Sequence, residues 1–360
     1  MTQSRAPRPL RPTRPARSWR RTLGALGGTL ALVAAASACS SGSGSLEKPD
    51  LNVGVVGGIG AAPFQVGYQQ GAFSQNGLTL NVQPFPTDAA AEAALAKGEI
   101  DVAFGDYSEF LNEGPEGSSP VATTVQVIGE GYNAGSNTIG LVAAKSSPLT
   151  NATLTGTGGV ANQISTGNLS VDVPDQASPE FLALSNWSIA EQQPLNLSSE
   201  RISNSSSGQS SSAATASSMI SAVVSGQANL AVLQEPFLTE ALESGTVAEI
   251  ANLDSGNAVN MPIAGYFALS STVQKDPNTI AAFQAGLAQS QALGVSRVDV
   301  ESALTAEKVT HAVAATTAIG NYPTGIVSAS LTNVLSLMGS ANIQTAGLSA
   351  VTLTGGSNAF

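Results

Sequence analysis

The sequence predicts an α/β protein built from two similar halves, and three observations predict it. Strand and helix patterns alternate from Leu51 to Phe110, opening with the apolar run Leu51–Val56 and a glycine turn. One pattern then occurs twice, at Ala89–Asp106 and at Ala216–Gln234. Aligning Gly98 with Gly226 pairs Asp101 with Asn229 and Ala103 with Ala231. Finally, about 320 residues rich in Ala, Val, Leu and Gly follow a distinct N-terminal leader, enough for two domains with their own cores.

Each element has a local reason. Leu51–Val56 and Leu78–Val82 read as strands, with a helix opened by Pro63 between them. The Ala-rich helix from Ala89 ends at Gly98, and the serine- and alanine-rich one from Ala216 ends at Gly226. Both glycines suit the left-handed position after a helix. Val102–Phe104 and Leu230–Leu233 are apolar throughout, as buried parallel strands are. New helices are expected after Asp106 and after Pro236. Thr124–Ile128 and Thr138–Ala144 read as further strands, and a second set runs from Leu169–Val173 through Trp187 to Phe237. After Gly265–Leu269 the chain becomes mainly helical. Asp276-Pro277 opens a helix with Ile280, Phe283 and Leu287 on one stripe, and helices follow around Val300–Ala318 and Gly325–Met338. Ser203–Ser218 reads as a loop that turns helical near its end.

The glycine turn after the first strand raises a dinucleotide site, and the residues argue against it. Gly58-Ile59-Gly60-Ala61-Ala62-Pro63 supplies two glycines of G-x-G-x-x-G and then a proline where the fingerprint needs its third glycine. The next strand ends in Gln83-Pro84, where a ribose-binding acid would stand.

The N-terminus sets the expected compartment. Seven arginines fall within the first 21 residues, no acid precedes Glu47, and an apolar segment spans Leu23–Ala36. That segment is short for a bilayer span, which needs roughly 20 apolar residues, and has the parts of a secretory signal. It ends Ala36-Ser37-Ala38-Cys39, with a Ser/Gly linker beyond. Cys39, the only cysteine, cannot form an internal disulfide, and its setting resembles a bacterial lipobox whose cysteine is lipidated. The expectation is an extracytoplasmic protein anchored to the outer face of a bacterial cell membrane through Cys39.

Removing residues 1–38 takes away seven of the 14 basic residues and none of the 25 acidic ones. Nucleic acid is therefore excluded as a partner, since it needs clustered Lys and Arg. The remaining bases, Lys48, Lys97, Lys145, Arg201, Lys275, Arg297 and Lys308, stand at no obvious strand end.

Asn52-Val53-Gly54, Ala62-Pro63, Gly71-Ala72-Phe73, Asn76-Gly77-Leu78, Lys97–Ala103 and Gln234-Glu235-Pro236-Phe237 resemble the nitrate/sulfonate/taurine group of periplasmic substrate-binding proteins, which includes binders of thiamine pyrimidine precursors. The resemblance covers Leu51 to about Leu293 and is densest from Gly71 to Ala103. It implies a type II, Venus-flytrap fold: two α/β lobes joined by two hinge crossings, with ligand enclosed between them and an ABC permease and ATPase as partners. The implied organisation is a signal peptide (1–38), a linker (39–49), lobe one (50–139), lobe two (140–262), the helical remainder of lobe one (263–345) and a tail (346–360). A Gly-Lys pair that members often carry at the start of lobe two is absent around Thr155–Val160.

Ligands of such α/β folds lie beyond the carboxyl ends of the strands. The residues expected there are Gly57, Gly58 and Ile59 in the first turn, Thr87 and Asp88, Asp106 and Tyr107, Asp175 and Gln176, and Glu235. Thr87, Asp88, Asp106 and Asp175 have an alternative use as helix caps worth about 1 kcal/mol each. Acids at several strand ends favour a neutral or zwitterionic small molecule, heterocyclic or sulfonate-like. A sulfonate would have to be held by helix N-termini without a cation. Neither a cofactor nor a metal is expected. His311 is the only histidine and there is no G-x-S-x-G elbow for a hydrolase triad. The related fungal pyrimidine-precursor synthases carry a cysteine-rich iron motif that this chain lacks. A binding protein, expected as a monomer, is the reading; a sensing or scaffold lipoprotein of the same fold and a carboxylate-based hydrolase are the alternatives.

Overall fold

A computed structural model describes residues 45–114, 119–195, 201–204, 212–254, 258–345 and 347–356. Cys39, the leader and the end of the tail lie outside them. In chain order the strands and α-helices are β1 (Asp50–Val56), α1 (Ala62–Gln69), β2 (Thr79–Phe85), α2 (Asp88–Ala96), β3 (Val102–Asp106), α3 (Tyr107–Phe110), β4 (Val125–Asn133), β5 (Ile139–Ala144), α4 (Val160–Ser165), β6 (Ser170–Val173), α5 (Pro179–Ala190) and β7 (Arg201–Asn204). They continue as α6 (Ser212–Ser225), β8 (Leu230–Gln234), α7 (Phe237–Glu243), β9 (Val247–Asn252), β10 (Pro262–Leu269), α8 (Ser270–Lys275), α9 (Pro277–Ala292), α10 (Arg297–Ala306), α11 (His311–Thr316), α12 (Ser328–Ser340) and α13 (Ala350–Leu353).

The strands form two five-stranded sheets with the same plan. One has the order β2-β1-β3-β10-β4 and the other β7-β6-β8-β5-β9. In each, three parallel strands are followed by two that pair antiparallel. The fold is thus mixed α/β with two lobes, and the chain passes between the sheets twice, from β4 to β5 and from β9 to β10. The duplicated sequence pattern occupies equivalent places: α2 leads into β3 and α6 into β8, each the third parallel strand of its sheet. Gly98 (φ 70°) and Gly226 (φ 76°) both adopt the left-handed conformation their position after a helix requires.

Burial follows from layers on both faces. β4 is buried along its whole length and β10 except at Leu269. Alternate residues of β8 serve two cores: Leu230 and Val232 join the one containing α5, while Ala231 and Leu233 join that of α6 and α7. On lobe one, Ile280, Phe283 and Leu287 of α9 are all buried, with the Phe283 ring 5.3 Å from that of Phe73. Truncating Phe283 to Ala would cost about 3–5 kcal/mol.

Two stretches depart from the sequence expectation. Val300–Ala318 is two helices, because Lys308 turns left-handed (φ 74°) and the Thr310 side chain caps a new helix by accepting from Val313 N–H at 3.3 Å. Within Ser203–Ser218, β7 pairs in parallel with β6 and α6 already begins at Ser212. A serine-rich composition hides both elements.

Candidate ligand-binding cleft between the lobes

The carboxyl ends of β1, β3, β6 and β8 converge on one cavity of about 180 Å³, lined from both lobes. Its first wall is the Gly57-Gly58-Ile59 turn. Gly58 has φ 135° and ψ −179°, a conformation open only to glycine. Glu307, just past α10, accepts hydrogen bonds from Gln65 Nε2 and from the Gly58 backbone, so this turn is fixed from behind. Phe104, Met219 and Phe237 give apolar surface.

Carboxylates form much of the remaining lining. Asp88, Asp106 and Glu109 come from lobe one, and Asp175 and Glu180 from lobe two. Asp88 accepts from the Asp106 N–H at 2.7 Å, and a β-carbon at Gly105 would collide with it. Glycine there lets α2 and β3 bring their acids together. Asp175 Oδ1 accepts from Ala177 N–H at 2.7 Å, and Ser178, whose side chain caps α5, aims that helix start at the cavity. Glu92 of α2 is buried behind Asp88. Among the described residues, no Lys, Arg or His lines the cavity.

Burial first, and then neighbouring like charges, raise the proton affinity of Asp88, Glu92, Asp106, Glu109 and Glu180. Asp88 is pushed up to about 6, Glu180 to about 7 and Glu92 to about 8. Asp106 and Glu109 are raised well above the usual carboxylate range, and Glu109 is hydrogen-bonded to Asp175 across the lobes. Among the described residues, no group of three or more His, Cys, Asp or Glu could hold a metal ion.

Eight of the ten residues expected at strand ends line this cavity: Gly57, Gly58, Ile59, Thr87, Asp88, Asp106, Asp175 and Glu235. Thr87 is also a helix cap, accepting from Ala90 N–H at 3.2 Å. Two do not line it, and the structure corrects both expectations. Tyr107 is fully buried beneath β10, its ring 5.5 Å from Phe267, because the first residue of α3 turns inward while Asp106 faces the cavity. Gln176 is exposed at the tip of the turn that Asp175 closes with Ala177 and Ser178. Glu235 lines the cavity but commits its carboxylate elsewhere. Oε1 accepts from Thr239 Oγ1 (2.7 Å) and Ala318 N–H (3.0 Å), and Oε2 from Thr239 N–H (3.1 Å). Sequence reasoning missed Glu109 and Glu180. Each lies in the first turn of a helix next to an acid already singled out, which is the signal that was available.

Two lobes with matching sheets, two crossings and a cavity at the strand ends define the periplasmic-binding-protein fold. The model of the NMT1-like family matches residues 44–131, the segment that holds the densest part of the resemblance. Solved structures match across most of the chain. The alkanesulfonate-binding protein of Xanthomonas axonopodis pv. citri, bound to MOPS, is 12% identical with a TM-score of 0.62, covering 82% of this chain and 94% of its own. The zinc-bound ligand-binding component of an ABC-type import system from Staphylococcus aureus is 14% identical with a TM-score of 0.61, covering 83% and 94%. The nitrate-binding protein of Synechocystis PCC 6803 is 13% identical with a TM-score of 0.59, covering 75% and 70%. No curated protein sequence matches the chain. Among the described residues, no helix is long and apolar enough to cross a membrane.

Proposed function

We propose that this protein is a lipid-anchored, extracytoplasmic solute receptor that captures a small molecule between its lobes and delivers it to an ABC importer. The observation that carries this reading is the cavity at the strand ends, walled by both lobes. A ligand there touches both walls only when they are together, so binding shifts the population toward the closed form, which a permease can distinguish. The pairing of acidic groups with Phe104, Met219 and Phe237 favours a solute that is not an anion and has an apolar or heterocyclic body. A sulfonate or nitrate would meet carboxylates and, among the described residues, no cation.

Cys39, with its small preceding residues and Ser/Gly linker, supports anchoring to the outer face of the cell membrane. A thermal-shift screen against nitrate, taurine, alkanesulfonates, aminopyrimidines and other small heterocycles tests the receptor reading. A solute at 100 times its dissociation constant stabilises the folded state by about 2.7 kcal/mol. A flat response, with no small molecule found by native mass spectrometry, would count against it. Cys39→Ser is expected to release the protein from the membrane fraction, and continued membrane association would remove the anchor.

A further inference from the structure

We propose that the solute carries a positive charge, on an amine, amidine or guanidine, which sits between the carboxylates of the two lobes and is the bridge that lets them close. This rests on the receptor reading and names the chemistry of its ligand. Asp88, Asp106 and Glu109 on one lobe face Asp175 and Glu180 on the other, with Glu92 behind Asp88. Each of these pairs across the cleft is a like-charge pair when ionised, so approach of the lobes is opposed by the groups that line their facing walls.

Among the described residues no Lys, Arg or His lines the cavity to relieve this. Lys48 is paired with Asp101 at 2.6 Å, and Arg297 donates to the carbonyls of Ala314, Ala315 and Thr317. Asp106 is decisive: its half-buried carboxylate lines the cavity, accepts no hydrogen bond among the described residues, and has only other acids as charged neighbours. A neutral donor could satisfy one oxygen but would leave the repulsion, and an anion would add to it. A metal ion lacks a grouped ligand set. An organic cation neutralises both walls and places its apolar part against Phe104, Met219 and Phe237. Without it, burial and neighbouring like charge favour the protonated forms of Asp88, Asp106, Glu109 and Glu180. The cation therefore displaces protons, and its affinity falls as pH falls.

Calorimetric titration of the full chain with benzamidine and phenethylamine, against benzamide and 2-phenylethanol, and against benzoate and benzenesulfonate, tests this. The expected result at pH 8 is that the cations bind at least tenfold tighter than their neutral and anionic counterparts. They should release protons on binding and weaken at least tenfold by pH 5. Asp106→Asn should erase most of the preference while leaving the fold intact by circular dichroism. Equal or tighter binding of a neutral or anionic member, response to Zn²⁺ in place of the amines, or no binding by either cation would overturn the cation assignment. An uncharged hit in the broader screen would then leave the receptor standing with a different ligand.

Discussion

Carboxylates are drawn away from bulk water in two regions of this molecule, buried at the crossings between the lobes and half-buried in the cleft, and they are treated in opposite ways. At the crossings Asp254 Oδ2 accepts from Thr138 N–H, from Thr138 Oγ1 at 2.9 Å and from Ile139 N–H at 2.8 Å, stitching one connection to the other. Glu235 is likewise surrounded by donors from Thr239 and Ala318. In the cleft Asp88 takes a single backbone bond, Asp106 takes none among the described residues, and Glu109 meets Asp175. Loss of water raises proton affinity in both classes, pushing Asp254 up to about 6 as it does Asp88. Donors separate the two classes: Asp254 and Glu235 each take three hydrogen bonds and hold the fold, while an acid facing other acids is held for something else.

The contrast can be broken by mutation. Asp254→Ala is expected to have the largest effect, because it leaves three donors around a buried site without an acceptor, at a cost of about 3 kcal/mol or more. Urea denaturation measures it, and a loss under about 1 kcal/mol would erase the distinction. Glu235→Ala should follow at roughly 1.5–3 kcal/mol, the range for hydrogen bonds to a charged group.

Asp106→Asn should go the other way. The cleft acids bind protons more tightly folded than unfolded, so their contribution to stability is present at low pH and is lost as pH rises toward the folded values of about 6 to 8. The ligand-free melting temperature is therefore expected to fall from pH 5 to pH 8. The variant should flatten that slope and be more stable than the wild type at pH 8. A wild-type melting temperature that rises over the same range would contradict the assignment. Smallest of all, Tyr107→Phe removes a buried hydroxyl that has no partner among the described residues. It should change stability by no more than about 1 kcal/mol and leave solute affinity unchanged by the same titration. A tenfold loss of affinity would return Tyr107 to the site.

Much of the site was legible because α/β geometry places ligands at strand ends. Reading where Leu51–Val56 and Val102–Phe104 stop was enough to reach Gly57, Gly58, Ile59 and Asp106. Direction was not legible. Tyr107 and Gln176 follow their strands as directly as Asp106 and Asp175 do, yet one turns under β10 and the other to the surface. Nor does position in the chain reveal that Glu235 serves the crossing, since its partner Ala318 is 83 residues away.

The sequence by itself determined the α/β class, the two copies of the helix-strand unit, the left-handed glycines that end them and the acidity of the chain. These depend on local periodicity, turn chemistry and composition, which act over a few residues. Only the tertiary structure decided that β10 returns to the first sheet, and which carboxylates face one another across the cleft. It also decided which of them already have donors. Those are properties of groups far apart in the chain, and their proton affinity and pairing are set by what packing brings within a few ångströms and by how much water it removes.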